Sequence, residues 1–392
     1  MNEQAIGAAV EDLRAKVAAS EHKAHWAYYY LERQGATAEL ERLISEDPDL
    51  AEFNTGMRTV GTSATAISFK ELARSLVGRA VETDTQTALA ELTRYVGRDS
   101  FPATFTIALA GIGLDADTDL GHGVKVIRYT EAEFLPWPID DPQSLSPTKK
   151  ITAALTKEFD HPKRYHDQAT AIDREIQTAA TSIFGELEEA RLCLGIVKPS
   201  MSMVVGSCLR LSDRIPICGP FSSQSWSVHE LPPQPIEFNG EDLQIAARIH
   251  TAFHALESGT RKRLAIPMSR LQNAMFNHFP TVDDLIDLGI AVEATFLGDE
   301  EQDELTFRIA MRGSRLLGAD AVERKEIKDL LAAVYKMRSQ AVHRGMRPDR
   351  PPRPFRDRQV RDVFLEGCNV TARALRTIIE RGGVNWEQVE VS

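Results

Sequence analysis

The apolar positions after residue 240 recur with the period of about 3.6 residues that is typical of amphipathic helices. Asn239 is a suitable N-cap for the first of these helices, and the proline-rich run Leu231-Pro-Pro-Gln-Pro235 before it is typical of a linker. We therefore predict a domain boundary near residue 240, followed by an up-and-down helical bundle. Its six predicted helices are 241–257, 261–278, 282–297, 302–317, 323–345 and 357–381.

The residues before 240 have a mixed pattern. Residues 104–109 and 123–129 have the composition and alternation typical of strands, as do 201–211, whereas 165–193 favours a helix. The first hundred residues favour helices at 6–31, 36–44, 69–77 and 87–96. The predicted fold class is mainly α, with a mixed α+β N-terminal region. The predicted domains are a helical region at 1–100, a mixed α/β sensor or regulatory region at 101–240, and the bundle at 241–392.

Three successive helices of the predicted bundle each place one charged residue within their apolar stripe. These residues are Glu293, Arg312 and Arg338. A buried charge without a partner costs on the order of several kcal/mol. We therefore predict a shared cluster in which Glu293 pairs with Arg312, Arg338 or both. Such a cluster can be an ion-pair network that sets the helix register, or a polar pocket that holds Arg338 in place for function.

His343 follows Arg338 by five residues, and Gly345 and Pro348 predict that the helix ends close to it. On an ideal helix the two side chains lie about 140° apart around the axis. They can therefore converge in two ways. Either the helix unwinds at His343, or a second copy of the chain completes the site.

The charge distribution is uneven. The whole chain has a formal net charge of −11, which argues against a protein that coats nucleic acid non-specifically. Residues 335–381 nevertheless hold 12 Lys+Arg against 5 Asp+Glu. This segment is either a basic patch for local phosphate contact or a solvated arginine-rich loop.

The remaining composition predicts an ordinary cytoplasmic protein. The four cysteines have no C-x-x-C pairing and no histidine at metal-binding spacing, so neither a disulfide framework nor a zinc site is indicated. We see no signal-peptide pattern at the N-terminus and no apolar run long enough to span a bilayer, and we expect no membrane association.

Three ordered blocks of the predicted bundle resemble the HEPN superfamily, and within it the ApeA-like HEPN domains. The blocks are 285–294, 304–312 and 335–345, and the third carries Arg338 and His343 at the spacing of the R-x4-H signature. The resemblance covers roughly 241–382. HEPN toxins that pair with nucleotidyltransferase antitoxins have a tyrosine at the position of Gly345, so regulation by tyrosine AMPylation is not expected here.

The resemblance implies a metal-independent endoribonuclease without a cofactor, acting in antiphage defence by abortive infection, with RNA as substrate and a homodimer or larger homo-oligomer as the assembly. Residues 1–240 would sense a phage-derived trigger or bind a partner protein. The alternative is a non-catalytic HEPN interaction or nucleotide-sensing module. The implied catalytic residues are Arg338 and His343, supported by Glu293, Arg312, Ser339, Asp287 and Arg308. The basic segment suggests Arg344, Arg347, Arg350 and Arg353 for RNA contact.

Overall fold

The computed structural model describes residues 1–22, 24–60, 63–129, 151–166, 174–217, 222–226, 235–277, 279–297 and 304–391. The fold is mixed α+β and mainly α, as predicted. Two compact units are formed, each from separated segments of the chain. Unit 1 comprises Met1–Phe105, Glu158–Ile183 and Cys208–Ser225, and unit 2 comprises Thr106–Lys157, Phe184–Ser207 and Trp226–Ser392. The predicted boundary near residue 240 therefore falls inside unit 2.

The secondary structure runs in the following order. The helices are α1 Glu3–Ala18, α2 Ala24–Arg33, α3 Ala38–Glu46, α4 Phe69–Glu82, α5 Thr85–Val96, α6 Arg174–Val197, α7 Gly240–His254, α8 Ser258–Ala274, α9 Val282–Phe296, α10 Leu305–Leu317, α11 Ala321–Arg344, α12 Val360–Glu380 and α13 Trp386–Val391. The strands are β1 Thr55–Val60, β2 Ser63–Ser68, β3 Ser100–Ala110, β4 Ile112–Leu114, β5 Thr118–Gly121, β6 Val124–Arg128, β7 Ile151–Pro162, β8 Arg164–His166, β9 Met203–Leu211, β10 Ser222–Trp226 and β11 Ile236–Phe238.

The strands form three sheets. A six-stranded sheet has the order β10-β9-β3-β7-β6-β5, and a three-stranded sheet has the order β2-β1-β8. Strand β6 is antiparallel to both neighbours, with Val126 opposite Leu155 of β7, and these two side chains are buried. Strands β4 and β11 pair in parallel. The alternation of buried and exposed positions along β6 is the period-two pattern that identified this strand in the sequence.

Several N-terminal predictions are wrong in detail. The helix predicted at 6–31 is two helices, because the first ends at Ala18. The β1–β2 hairpin interrupts a region that was predicted to be helical throughout. The helix predicted at 165–193 begins later, and residues 164–166 pair as a strand with β1. Strands as short as these have too little periodicity to be distinguished from helix in sequence alone.

All six predicted bundle helices are present, with ends shifted by a few residues. Capping boxes begin two of them, at Asn239 with Asp242 and at Thr281 with Asp284. The sequence prediction missed α13. Inside unit 2, α9 packs against α8 and α11, and α10 packs against α11. In the described part of the chain, no helix has the length and apolar character that a bilayer crossing requires.

Helix α11 carries both residues of the R-x4-H pattern. Asp320 caps its N-terminus by accepting hydrogen bonds from the backbone N–H groups of Val322 and Glu323. At the other end, Gly345 adopts a left-handed conformation with φ of 63°, and its N–H donates to the carbonyl of Ala341. This is the usual glycine termination of a helix. The helix therefore stays regular through His343 and ends at Arg344.

Candidate functional site

Arg338 of α11 packs directly against α9. The opposing residue is Gly289, which is buried. A Cβ atom built on Gly289 would lie only 2.1 Å from Cγ of Arg338 and 2.7 Å from its Cβ. The aliphatic part of the Arg338 side chain therefore fits between the two helices because residue 289 has no side chain.

Glu293 is one helical turn beyond Gly289 and receives two side chains from α11. The Tyr335 hydroxyl donates to Oε1 of Glu293 at 2.7 Å, and Nη2 of Arg338 donates to Oε2 at 3.4 Å. Tyr335 precedes Arg338 by three residues, so both project from the same side of α11. The Arg338 guanidinium carbon is also 5.7 Å from the centroid of the Tyr335 ring. The predicted pairing of Glu293 with Arg338 is confirmed.

The guanidinium of Arg338 keeps unused hydrogen-bonding capacity. A guanidinium carries five N–H donors, and the contact to Glu293 is long and uses only Nη2. Among the described residues, Nε of Arg338 has no hydrogen-bond partner although it is shielded from solvent. The side chain as a whole is 26% exposed. A buried donor left unsatisfied costs about 1–3 kcal/mol. The exposed part of the guanidinium is accessible to the oxygens of a bound phosphate or carboxylate.

Tyr335 remains a hydrogen-bond donor over the whole physiological pH range. Burial raises the pKa of its hydroxyl to about 12, and the bond to the Glu293 carboxylate adds to the effect. The protonated hydroxyl therefore holds one oxygen of Glu293 while the other oxygen faces Arg338. The orientation of Arg338 depends in this way on a tyrosine that the sequence analysis did not select.

His343 is exposed and does not share the pocket of Arg338 within one chain. Because α11 is regular through Arg344, the two side chains leave the helix about 140° apart. The possibility that the helix unwinds at His343 is therefore wrong. Of the two arrangements considered from sequence, only completion of the site by a second copy is left open.

Arg312 does not join Glu293, so the predicted three-charge cluster is wrong on this point. Arg312 is 3% exposed. Its Nε donates to Oε1 of Glu390 at 2.6 Å, its Nη1 donates to the carbonyl of Phe296 at 2.9 Å, and its guanidinium carbon lies 5.2 Å from the centroid of the Trp386 ring. Glu390 and Trp386 belong to α13, the helix that the sequence prediction missed. The bonds of Arg312 thus connect the C-terminal helix α13 to the bundle.

Three other predicted supporting residues have different settings. Asp287 accepts a hydrogen bond from Nη1 of Arg270 on α8 at 2.8 Å, so it serves the α8–α9 contact. Ser339 and Arg308 are both half-buried. Ser339 is adjacent to Arg338 in α11, and the structure assigns neither residue to the bonds around Glu293.

The four arginines predicted to contact RNA lie in two different settings. Arg344 and Arg353 are exposed. Arg347 and Arg350 line an open groove of about 550 Å³ beyond the end of α11. Nη1 of Arg347 donates to the carbonyl of Pro280 at 3.5 Å, which links the arginine-rich segment to the residues before α9. The same groove contains Phe279, Arg356 and Arg361, which sequence reasoning did not select.

Three histidines meet in a different part of unit 2. The rings of His122 and His254 are nearly parallel, with centroids 3.9 Å apart, and His250 lies 5.9 Å from His122 and 6.3 Å from His254. His250 is 1% exposed, and its Nδ1 donates to the carbonyl of Leu120 at 2.9 Å. Its Nε2 is buried and has no hydrogen-bond partner among the residues that the structure describes. Burial lowers the pKa of His250 and of His254. No His, Cys, Asp or Glu group in the described ranges is arranged to hold a metal ion, these histidines included.

Comparisons of the chain with protein-family models, with curated proteins and with solved structures found no match. Arg338 and His343, with the residues that contact them, therefore remain the candidate functional site.

Proposed function

We propose that the chain is an endoribonuclease of the HEPN type, in which Arg338 binds the phosphate at the point of cleavage and His343 transfers protons. The observation that carries the proposal is the setting of Arg338. Its stem is fixed against Gly289, and one nitrogen contacts Glu293. Its Nε is desolvated and has no partner in the described part of the chain. An arginine held in this way is prepared to bind an oxyanion, because its orientation is set before the ligand arrives.

RNA supplies the nucleophile for the proposed reaction. The 2′-hydroxyl lies beside each phosphodiester, and its oxygen attacks phosphorus after an imidazole takes its proton. The bond from phosphorus to the 5′-oxygen breaks, and this oxygen takes a proton from an imidazolium. The products carry 2′,3′-cyclic phosphate and 5′-hydroxyl ends. Arg338 stabilises the negative charge that builds on the phosphate oxygens, and the proposed mechanism uses no metal or other cofactor.

The active assembly in this proposal is a homodimer with a two-fold axis. One histidine does not readily act as acid and base in the same step, and two copies supply two. The regular α11 also supports this arrangement, since Arg338 and His343 of one chain diverge around the helix. A two-fold axis near the end of α11 would place His343 of each copy close to Arg338 of the other. The exposure of His343 leaves its ring accessible for this purpose.

The biological setting in this proposal follows from the resemblance to ApeA-like domains. It is a cytoplasmic RNA cleavage that limits phage growth by abortive infection, with residues 1–240 sensing a phage-derived trigger or a partner protein. The competing function is a non-catalytic HEPN module for interaction or nucleotide sensing. The bonds from Tyr335 and Arg338 to Glu293 favour it to some extent, because they also join α9 to α11.

The test is cleavage of labelled RNA by the purified chain in EDTA, with analysis of the product ends. We expect cyclic phosphate ends from the wild-type chain and no cleavage by Arg338→Ala or His343→Ala, both with wild-type melting temperatures. Full cleavage by either variant would remove that residue from the mechanism. Inactive wild-type protein, together with variants that melt many degrees lower, would support the interaction module.

Co-expression of the wild-type chain with an excess of the His343→Ala chain tests the shared site. In a mixed dimer, only one copy retains His343. If the site needs one histidine from each copy, the mixed dimers are inactive, and cleavage falls below that of the same amount of wild-type chain alone. If both residues act within one chain, the wild-type copies keep their activity in the mixed dimers, and this result would reject the shared site.

A further inference from the structure

The groove beyond α11 is lined by an unusual combination of side chains. We call it the arginine groove and define it by Phe279, Arg347, Arg350, Arg356 and Arg361. Its volume of about 550 Å³ lies in the range typical of small-molecule sites. Its first arginine after α11, Arg347, follows the last residue of that helix by three positions. The same helix carries Arg338 and His343.

The four arginines of the arginine groove form no ion pair with any described residue. In the part of the chain that the structure describes, no carboxylate oxygen lies within 4.0 Å of the guanidinium nitrogens of Arg347, Arg350, Arg356 or Arg361. The neighbouring Arg358 differs, because Glu366 holds it through both Nη atoms. Asp349 and Asp357 also line the groove without forming such pairs. Four unpaired arginines around one concave surface favour an anionic ligand with more than one charged group.

Phe279 adds an apolar, planar surface to this basic site. Its side chain is 59% exposed, which is unusual for a phenylalanine. The Arg361 guanidinium carbon lies 5.4 Å from the ring centroid, so the ring already bears a cation–π contact. Nε of Arg361 is buried and has no hydrogen-bond partner among the described residues. The bond from Arg347 to Pro280 connects the ring's segment to the arginine loop.

We propose that the arginine groove binds single-stranded RNA, with one base stacked on Phe279 and the adjoining phosphates on Arg347, Arg350 and Arg356. Exposed aromatic rings beside unpaired arginines are the combination that binds single strands, because the ring stacks on a base while the guanidiniums contact the backbone. A base inside a duplex has both faces covered by its neighbours and cannot reach the ring. The groove therefore selects single-stranded RNA for the proposed nuclease site. This inference rests on the proposed function for the identity of its ligand.

Binding is measured on the full-length chain with His343→Ala, so that the probe is not cleaved. The probe is a short fluorescent single-stranded RNA, followed by anisotropy over a series of salt concentrations. Phe279→Leu removes the stacking ring and weakens binding by roughly 5- to 150-fold, the range for loss of one stacked base. It leaves the salt dependence unchanged. Phe279→Tyr keeps the ring and restores the affinity.

Removal of the arginines is expected to change the salt dependence of RNA binding. Each phosphate contact to a single strand contributes about 0.7 to the slope of log K against log salt. The double variant Arg350→Ala with Arg356→Ala loses two such contacts, so the magnitude of that slope decreases by about 1.4. The controls are Ile266→Ala, an apolar side chain on α8 that is 54% exposed, and Arg248→Ala, an exposed arginine on α7. Both controls bind like the parent.

The outcomes separate this inference from the proposed function. If Phe279→Leu binds like the parent, or if duplex RNA binds as tightly as the single strand, the groove is not a single-strand site even when the wild-type chain cleaves RNA. If Phe279→Leu alters the sedimentation of the protein and leaves the affinity unchanged, the surface serves association between copies instead, and the inference fails. If the wild-type chain does not cleave RNA but the groove variants still lose RNA binding, the groove is a single-strand site and the proposed nuclease function is wrong.

Discussion

Substitution of Gly289 by alanine adds one methyl group at the contact between α9 and Arg338. The new Cβ would lie 2.1 Å from Cγ of Arg338, and an ordinary contact begins at about 3.4 Å. The two carbons must therefore separate by more than 1 Å. Because the bond from Arg338 to Glu293 is already 3.4 Å long, a shift of this size breaks it and moves the guanidinium away from its present position.

The expected loss of activity is large and the expected loss of stability is small. A misplacement of about 1 Å in a positioned group can cost on the order of 100-fold in rate. For stability, two effects oppose each other. Alanine is better than glycine in a helix interior by about 1 kcal/mol, whereas overpacking costs about 1–3 kcal/mol. The net change in the free energy of unfolding is therefore about 0–2 kcal/mol, which leaves the chain folded.

The assay is RNA cleavage together with chemical denaturation of the same preparations. Gly313→Ala is the matched control, because its Cβ would lie 2.2 Å from Cδ1 of Leu331 in the same bundle and away from Arg338. Gly78→Ala is the second control, since nothing lies within 4 Å of its Cβ, and it should be stabilising by about 1 kcal/mol. We expect both controls to retain wild-type cleavage. A Gly289→Ala chain that cleaves RNA as fast as its controls would refute the role given to the position of Arg338.

Two further predictions concern groups whose hydrogen bonds or charges are set by burial. Tyr335→Phe removes the hydroxyl that donates to Glu293 and should lower the free energy of unfolding by about 1–2 kcal/mol, measured in urea; an unchanged midpoint would show that the bond contributes nothing. Burial lowers the pKa of His250 and His254 below 6.5, so the unfolded chain takes up protons first and stability falls as the pH drops below about 7. His250→Gln should make the free energy of unfolding less dependent on pH between about 7 and 5, and equal slopes for the two proteins would contradict this.

The charged groups around the histidines support the second of these predictions. Positive charge on His122 and on Lys157 opposes protonation of His250. Positive charge on His122 and on Arg261 opposes protonation of His254, whereas Glu186 and Glu189 favour it. Burial is the largest effect for both His250 and His254. Comparison of the wild-type chain with His250→Gln at each pH cancels the contributions of the groups that the two proteins share.

The bundle helices were predictable because the sequence signals that define each helix lie within it or next to it. The apolar period, the caps Asn239 and Thr281, and the terminating Gly345 all act within a few residues of the helix that they define. For the same reason the sequence indicated that Arg338 and Glu293 lie on apolar faces and need partners. It also placed His343 at the end of its helix, where the structure has it.

The partners themselves were decided by tertiary structure. Arg312 bonds to Glu390 because α13 packs against α10, and nothing near Arg312 in the sequence indicates this choice. The short strand β8 depends on pairing with β1, a segment distant from it in the sequence. Phe279 and Arg361 are far apart along the chain, and only packing brings the ring and the guanidinium to one groove. The amino-acid sequence by itself determined which helices form and which charges require a partner, since these depend on local periodicity and on the cost of burying a charge. Which partner each charge has, and which exposed side chains share a surface, was decided only by the tertiary structure, because both depend on how elements distant in sequence pack together.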